Sequence, residues 1–181
     1  MRLPLLILPV ILGASLAIAS ARMPDGKEWT TENLSVNVSG SYCYDDSEQQ
    51  CQRYGRLYTW DAAQQGCHAL GAGWRLPTSD EWRQLAKQFG GFYDDSTDKG
   101  HAAYTALMIG GTSGFNAVLG GLREAGNGEY SRSDAHGFYW TSTAADATHA
   151  VFLNFGKGSG ALYRQPEGEK QRGGSVRCIK D

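Results

Sequence analysis

Apolar positions follow three different rhythms along this chain. The first is continuous: Leu3 to Ile18 is an almost unbroken apolar run behind Arg2. The second is helical. In TWDAAQQGCHAL, Trp60, Ala63, Cys67 and Leu70 fall three and four residues apart, so they share one face, and Gly71 and Gly73 end the helix they predict. Trp82, Leu85, Ala86 and Phe89 repeat the spacing until Gly90-Gly91 stops it, and HAAYTALMIGG reads as one further short helix. The third rhythm begins near residue 111. FNAVL, FYWTST, HAVFLNF, ALYR and SVRCIK are short β-rich runs separated by Gly, Asn and Asp, with Asn127-Gly128 marking a hairpin turn. GKEWTTENL, residues 26–34, alternates loosely and is expected to open a sheet. Residues 156–174 are polar and Gly-rich and read as an exposed hairpin or a long loop. Helices early and strands late give an α+β class.

GWRLPTSDEW, residues 73–82, looks at first like a catalytic motif. Most of it is explained by starting one helix. Thr78 as N-cap with Glu81 three residues on forms a capping box, in which hydroxyl and carboxylate each satisfy the other residue's backbone amide. Pro77 sits where no helical amide is needed, and acids in the first turn suit the helix dipole. Trp74 is expected to pack in the core. Arg75 is expected to bridge backbone carbonyls or a buried acid.

The opening run ends in Ala19-Ser20-Ala21, a small-x-small pattern that a leader peptidase accepts. Residues 1–21 are therefore expected to be a signal peptide, and residues 22–181 a single exported domain. No cysteine precedes Cys43, so no lipid anchor is implied, and no later segment is apolar enough to span a bilayer. The net charge of −2 and the lack of a basic stripe argue against nucleic acid as a partner. Four cysteines in an exported chain are most simply two disulfides, with three pairings open. Cys43 and Cys51 bracket the short acidic loop CYDDSEQQC and suit a local bridge, which leaves Cys67 for Cys178. Loop-closure entropy gives the short bridge ~2.6 kcal/mol and the long one ~4.8 kcal/mol.

GKEWTTENL, YGRLYTWDAA, CHALGAGWRLPTSDEW, FNAVLGGLRE, FYWTST and the terminal GGSVRCIKD, in that order, cover almost all of residues 22–181. Together they resemble the Fibrobacter succinogenes major paralogous domain family of exported bacterial proteins. CYDDSEQQCQRYGRLYTW resembles a variant with an extra short disulfide. The resemblance implies a C-type-lectin-like fold, with two early helices flanking a small antiparallel sheet, long Gly-rich loops and two disulfides. It also implies a bridge from the first helix to the last strand, Cys67–Cys178. RLPTSDEW is similar to a helix start in the formylglycine-generating-enzyme superfamily.

Enzyme signatures are sparse. Formylglycine-generating chemistry uses a pair of cysteines near the chain end, and Cys178 is alone in the last hundred residues. His68, His101, His136 and His149 show no metal-ligand spacing, and neither a GxSxG motif nor a Walker motif is present. Calcium is the one ion the sequence suggests. Gln165-Pro166-Glu167 is similar to a lectin ligand triplet, and Asp94, Ser96 and Asp98 place oxygens at alternate positions. The triplet follows the Trp140 strand rather than preceding it, and the acidic loop lacks a Glu at its twelfth position. Tyr130, Phe155, Tyr163 and Arg164 lie in Gly-rich surroundings and suit recognition of sugars or protein surfaces, with burial in the core as the competing role for Phe155 and Tyr163.

The expectation is a non-catalytic binding module, periplasmic or secreted, that takes a glycan or cell-surface protein through loops between about residues 125 and 172. An enzyme of the formylglycine-generating type or of unknown chemistry is the alternative. A structural envelope protein is third.

Overall fold

The computed structural model describes residues 18–181. The proposed leader, residues 1–21, lies outside the described residues except for its last four. Ten strands and four helices follow in chain order: β1 Ser20–Arg22, β2 Glu28–Thr30, β3 Ser41–Tyr42, α1 Glu48–Tyr54, β4 Leu57–Tyr58, α2 Trp60–His68, α3 Ser79–Lys87, α4 His101–Leu107, β5 Gly120–Arg123, β6 Tyr130–Ser133, β7 His136–Ala144, β8 His149–Gly156, β9 Ala161–Glu169 and β10 Ile179–Lys180. The class is α+β. The main sheet has five strands in the order β6-β5-β7-β8-β9, antiparallel except where β5 meets β7. A three-stranded sheet, β1-β2-β10, joins the two ends of the described chain, and β3-β4 form a small ribbon.

Three helices fall where the apolar spacing put them. The fourth, α1, begins inside CYDDSEQQC, expected to be only an acidic loop, and runs on to Tyr54. Its seven residues carry little periodicity, and the Cys43–Cys51 bridge closes over them. The second bridge, Cys67–Cys178, is fully buried and ties α2 to the segment before β10. In α3 the Thr78 hydroxyl accepts from the Glu81 amide and the Glu81 carboxylate accepts from the Thr78 amide, so the capping box forms. Arg75 bridges an acid rather than carbonyls: it donates to both oxygens of Glu81, at 2.8 and 2.6 Å. Burial would push the Glu81 carboxyl up. The Arg75 guanidinium and the Thr78 bonds outweigh it and bring the pKa down to about 2.

Both faces of the main sheet are covered, which explains why FYW and VFL run apolar without alternating. Tyr139, Leu153, Phe155 and Leu162 point into one cluster, with Trp29, Trp82, Leu85 and Phe115. Phe138, Trp140 and Phe152 point into the other, with Tyr58, Ala63, Cys67 and Val176. The Gly-rich segment 156–174 is not a long loop. After a tight turn it supplies β9, nine residues paired along β8, and the exposed Pro166 is tolerated because β9 is an edge.

The run SVRCIK forms less strand than its composition predicts. Only its last two strand residues, Ile179–Lys180, join a ladder. The stretch before them is threaded between other elements: Tyr58 bridges Gly174, and Tyr139 bridges Ser175. Within it Arg177 is fully buried, and it forms no ion pair among the described residues. Nε donates to Asn33 Oδ1 at 2.8 Å. Nη1 donates to the carbonyls of Thr30 and Phe115 at 2.9 and 2.6 Å, and Nη2 to that of Asn116 at 2.6 Å. The guanidinium also stacks on the Phe115 ring, 4.5 Å from its centroid.

Arg177→Met should leave these four oxygens without their donor and lower the unfolding free energy by about 3–5 kcal/mol in urea titration. A loss under about 1 kcal/mol would show that the oxygens find other partners. Acid should also act through Glu81. Because its folded pKa lies below the ordinary value of 4.5, its contribution is complete above that value and is lost as pH falls toward about 2. Glu81→Gln should flatten stability against pH in that window, and an unchanged slope would assign the acid sensitivity elsewhere.

Candidate binding site

The face of the main sheet formed by Phe138, Trp140 and Phe152 is closed by α2 and the 172–174 segment at its Trp140 end. At the other end the cover stops. Register places Phe138, Asn154 and Tyr163 side by side across β7, β8 and β9, with Trp140, Phe152 and Gln165 in the next row. His136 begins the same face. Where helix cover gives out, His136, Asn154, Ser159, Tyr163 and Gln165 line an open cleft of about 330 Å³.

The cleft is built from rigid parts. The His136 ring lies flat on Phe138, with centroids 5.4 Å apart and planes 7° apart. Its Nδ1 donates to Asn154 Oδ1 at 2.9 Å. Tyr163 stacks on Tyr93 at 4.8 Å. Ser159 and Gly158 belong to the β8–β9 turn and leave the mouth open. The lining therefore offers an aromatic ring, an imidazole, two planar amides and a hydroxyl, with no carboxylate, lysine or arginine among them.

The sequence-named residues separate in the structure. Tyr163 and Gln165 meet in this cleft. Phe155 does not reach the surface: it is fully buried in the first core cluster, against Tyr139 at 5.3 Å. Arg164 points to the opposite face of β9, where its Nε donates to the buried Ser79 hydroxyl at 2.7 Å. Tyr130 is held at the far edge of the sheet, its hydroxyl donating to Asp46 at 2.6 Å. Burial and that bond push its pKa up to about 12.

Of the residues named for calcium, Ser96 and Asp98 meet, the Ser96 hydroxyl donating to Asp98 Oδ1 at 3.0 Å. Asp94 and Glu167 are exposed. Asp98 accepts from the Ala102 and Gly100 amides, and the Ser96 hydroxyl also accepts from Gly100, so the loop caps the start of α4. The Ala102 bond leads the set that lowers the Asp98 pKa. Among the described residues, the one set of His, Cys, Asp and Glu side chains close enough to share an ion is Cys43, Glu48 and Cys51, and its two sulfurs are already joined.

All four cysteines are in disulfides. The carboxylates with displaced pKa values, Glu81, Asp98, Asp146 and Asp181, are all displaced downward, each by hydrogen bonds or cations that hold it ionised. The histidines sit apart: His68 is exposed at the end of α2, His101 contacts the Gly160 carbonyl, and His149 contacts Asp146.

A second depression escaped the sequence reading. A cleft of about 570 Å³ lies between the 31–35 segment, α1 and the 109–118 loop, with Glu32, Asn33, Glu48 and Asn116 among its polar walls. It continues past Arg53, Tyr54, Ile109 and Val118 into a hollow of about 380 Å³ beside Tyr104 and Met108. Ile109 is 65% exposed on the shared rim. An isoleucine followed by Gly110-Gly111 was the available signal, because such a residue has neither helix nor strand to bury it.

Comparison with known families matches residues 18–180 to the model of the Fibrobacter succinogenes major domain. No curated protein matches the chain, and no solved structure does. The two tyrosine and phenylalanine positions named as binding residues on β8 and β9 make a direct contrast. Phe155→Ala should cost about 3–5 kcal/mol of stability. Tyr163→Ala should cost about 1 kcal/mol or less and leave the fold intact. Equal losses in thermal or urea unfolding would contradict the placement of Tyr163 at the surface.

Proposed function

The chain belongs to the Fibrobacter succinogenes major domain family, and from that premise we propose that it is an exported, non-catalytic binding module whose β7–β8–β9 face takes a neutral glycan. The observation that carries this reading is the cleft of His136, Asn154, Ser159, Tyr163 and Gln165, which no carboxylate, lysine or arginine lines. Sugar rings present an apolar C–H face and a rim of hydroxyls. A tyrosine ring supplies the first contact, and planar amides with a hydroxyl supply paired donors and acceptors for the second. A lining without carboxylate, lysine or arginine suits a ligand without charge. We further propose that the α+β architecture is of the C-type-lectin-like kind. Two disulfides suit an oxidising compartment, periplasmic or extracellular.

The enzyme alternative draws less support. Formylglycine-generating chemistry needs reactive thiols, and Cys178 is buried in a bridge to Cys67. Carboxylates held ionised by structural bonds are poor general acids at neutral pH. A surface-protein partner is the second reading, and the exposed Ile109 on the rim of the α1 cleft favours it.

A glycan array probed with the oxidised domain, in calcium and in chelator, tests the proposal. Binding to neutral glycans is expected in both conditions. Tyr163→Ala and Gln165→Ala should each weaken it about tenfold or more, equivalent to about 1.4 kcal/mol, while Tyr130→Phe leaves it unchanged. Binding that ignores the Tyr163 and Gln165 variants would move the site elsewhere. Calcium-dependent binding would restore the Asp94–Asp98 loop or the Gln165–Glu167 triplet. No binding in either condition would favour the protein partner, with the α1 cleft as the place to look.

A further inference from the structure

The residues just before Arg22 are part of the folded domain. Ser20 and Ala21 pair with Thr30 and Trp29 in the β1–β2 ladder, and the Ser20 hydroxyl donates to Glu28 at 2.7 Å. The Thr31 amide donates to the Ala19 carbonyl at 2.9 Å. Ile18 is half-buried against the second core cluster. Strand β2 is the central strand of its sheet only because β1 covers one side, and β2 carries Trp29 and Thr30, both fully buried. Thr30 also supplies one of the carbonyls that Arg177 holds and accepts from the Cys178 amide through its hydroxyl. Leader removal after Ala21 would cut β1 to one residue and leave this strand as an open edge.

Small-x-small patterns overlap here. Besides Ala19-Ser20-Ala21, the chain offers Ser15-Leu16-Ala17 and Ala17-Ile18-Ala19. We propose that a leader peptidase cleaves upstream of Ser20, after Ala17 or Ala19, so that the mature chain keeps all of β1. This rests on the reading of the chain as exported. The reaction is hydrolysis: water's hydroxyl joins the Ala17 or Ala19 carbonyl carbon, the amide bond breaks, and the new amine remains on Ile18 or Ser20. The family match, which begins at residue 18, falls on the same boundary.

Intact-mass measurement of the full-length gene product, expressed in a bacterial host and recovered from periplasm and medium, decides the matter. A mature chain starting at Ile18 or Ser20 supports the proposal. A start at Arg22 overturns it while leaving export intact, whereas an uncleaved chain retained in the cytoplasm overturns both. Ala21→Glu provides a second test. The side chain is exposed on the edge strand, and the substitution blocks only the pattern that ends at Ala21. Processing to the same start in unchanged yield is expected, and accumulation of precursor would refute upstream cleavage.

Discussion

One buried guanidinium, in no ion pair among the described residues, joins three distant segments of this chain. Arg177 donates to three backbone carbonyls and one side-chain amide, drawn from the β2 end, the 115–116 loop and Asn33. Burying a cation with no counter-ion is costly, and burial draws its pKa down. Fixed carbonyl dipoles offset that cost only if their backbones stay where they are. The requirement therefore acts on the walls as much as on the arginine. Residues 30–33 and 115–116 are locked, and both flank the larger cleft beside α1. Asn116 even adopts a left-handed backbone, φ 58°, to present its carbonyl.

The segment carrying Arg177 also places the main sheet. Gly173 to Ser175 pass between β4 and β7, bonded on both sides to Tyr58, Phe138 and Trp140. Gly174 suits the narrow passage, since a Cβ there would lie 3.0 Å from the Trp140 indole nitrogen and press on the ring. With Cys178 bridged to α2, Ile179 paired to both Trp29 and Arg75, and Gly173 to Ser175 bridged to β5, β4 and β7, five elements are tied to the final nine residues. The cleft of His136, Asn154, Tyr163 and Gln165 lies at the end of the sheet face that this tie and α2 do not cover. Its rigidity follows from the sheet register beneath it and its openness from the short β8–β9 turn.

Much of this was legible in the residues themselves. The α2 and α3 helices, the capping box, the Asn127-Gly128 hairpin and the FYWTST and HAVFLNF strands all follow from local spacing and turn chemistry. The candidate site was legible only in part. Tyr163 and Gln165 lie two apart on one strand, so their common face could be read. Their neighbours His136 and Asn154 come from other strands and join them only through register. Phe155 and Arg164 looked equally suitable by composition, yet each sits one residue out of phase with the cleft and points to the opposite face.

The α+β class, the family, the two disulfides and the helix starts can be read from the residues alone, because they rest on contacts between near neighbours, on motif order and on cysteine count. Tertiary structure alone decided which aromatic residues face solvent, what Arg177 binds and that Ser20 and Ala21 belong to a strand. In each case the deciding partner lies far along the chain: Arg177 meets Thr30 across 147 residues. A short stretch of small residues such as Ala19-Ser20-Ala21 carries no strand signal of its own, and its last two residues join a strand only because β2 presents an edge beside them.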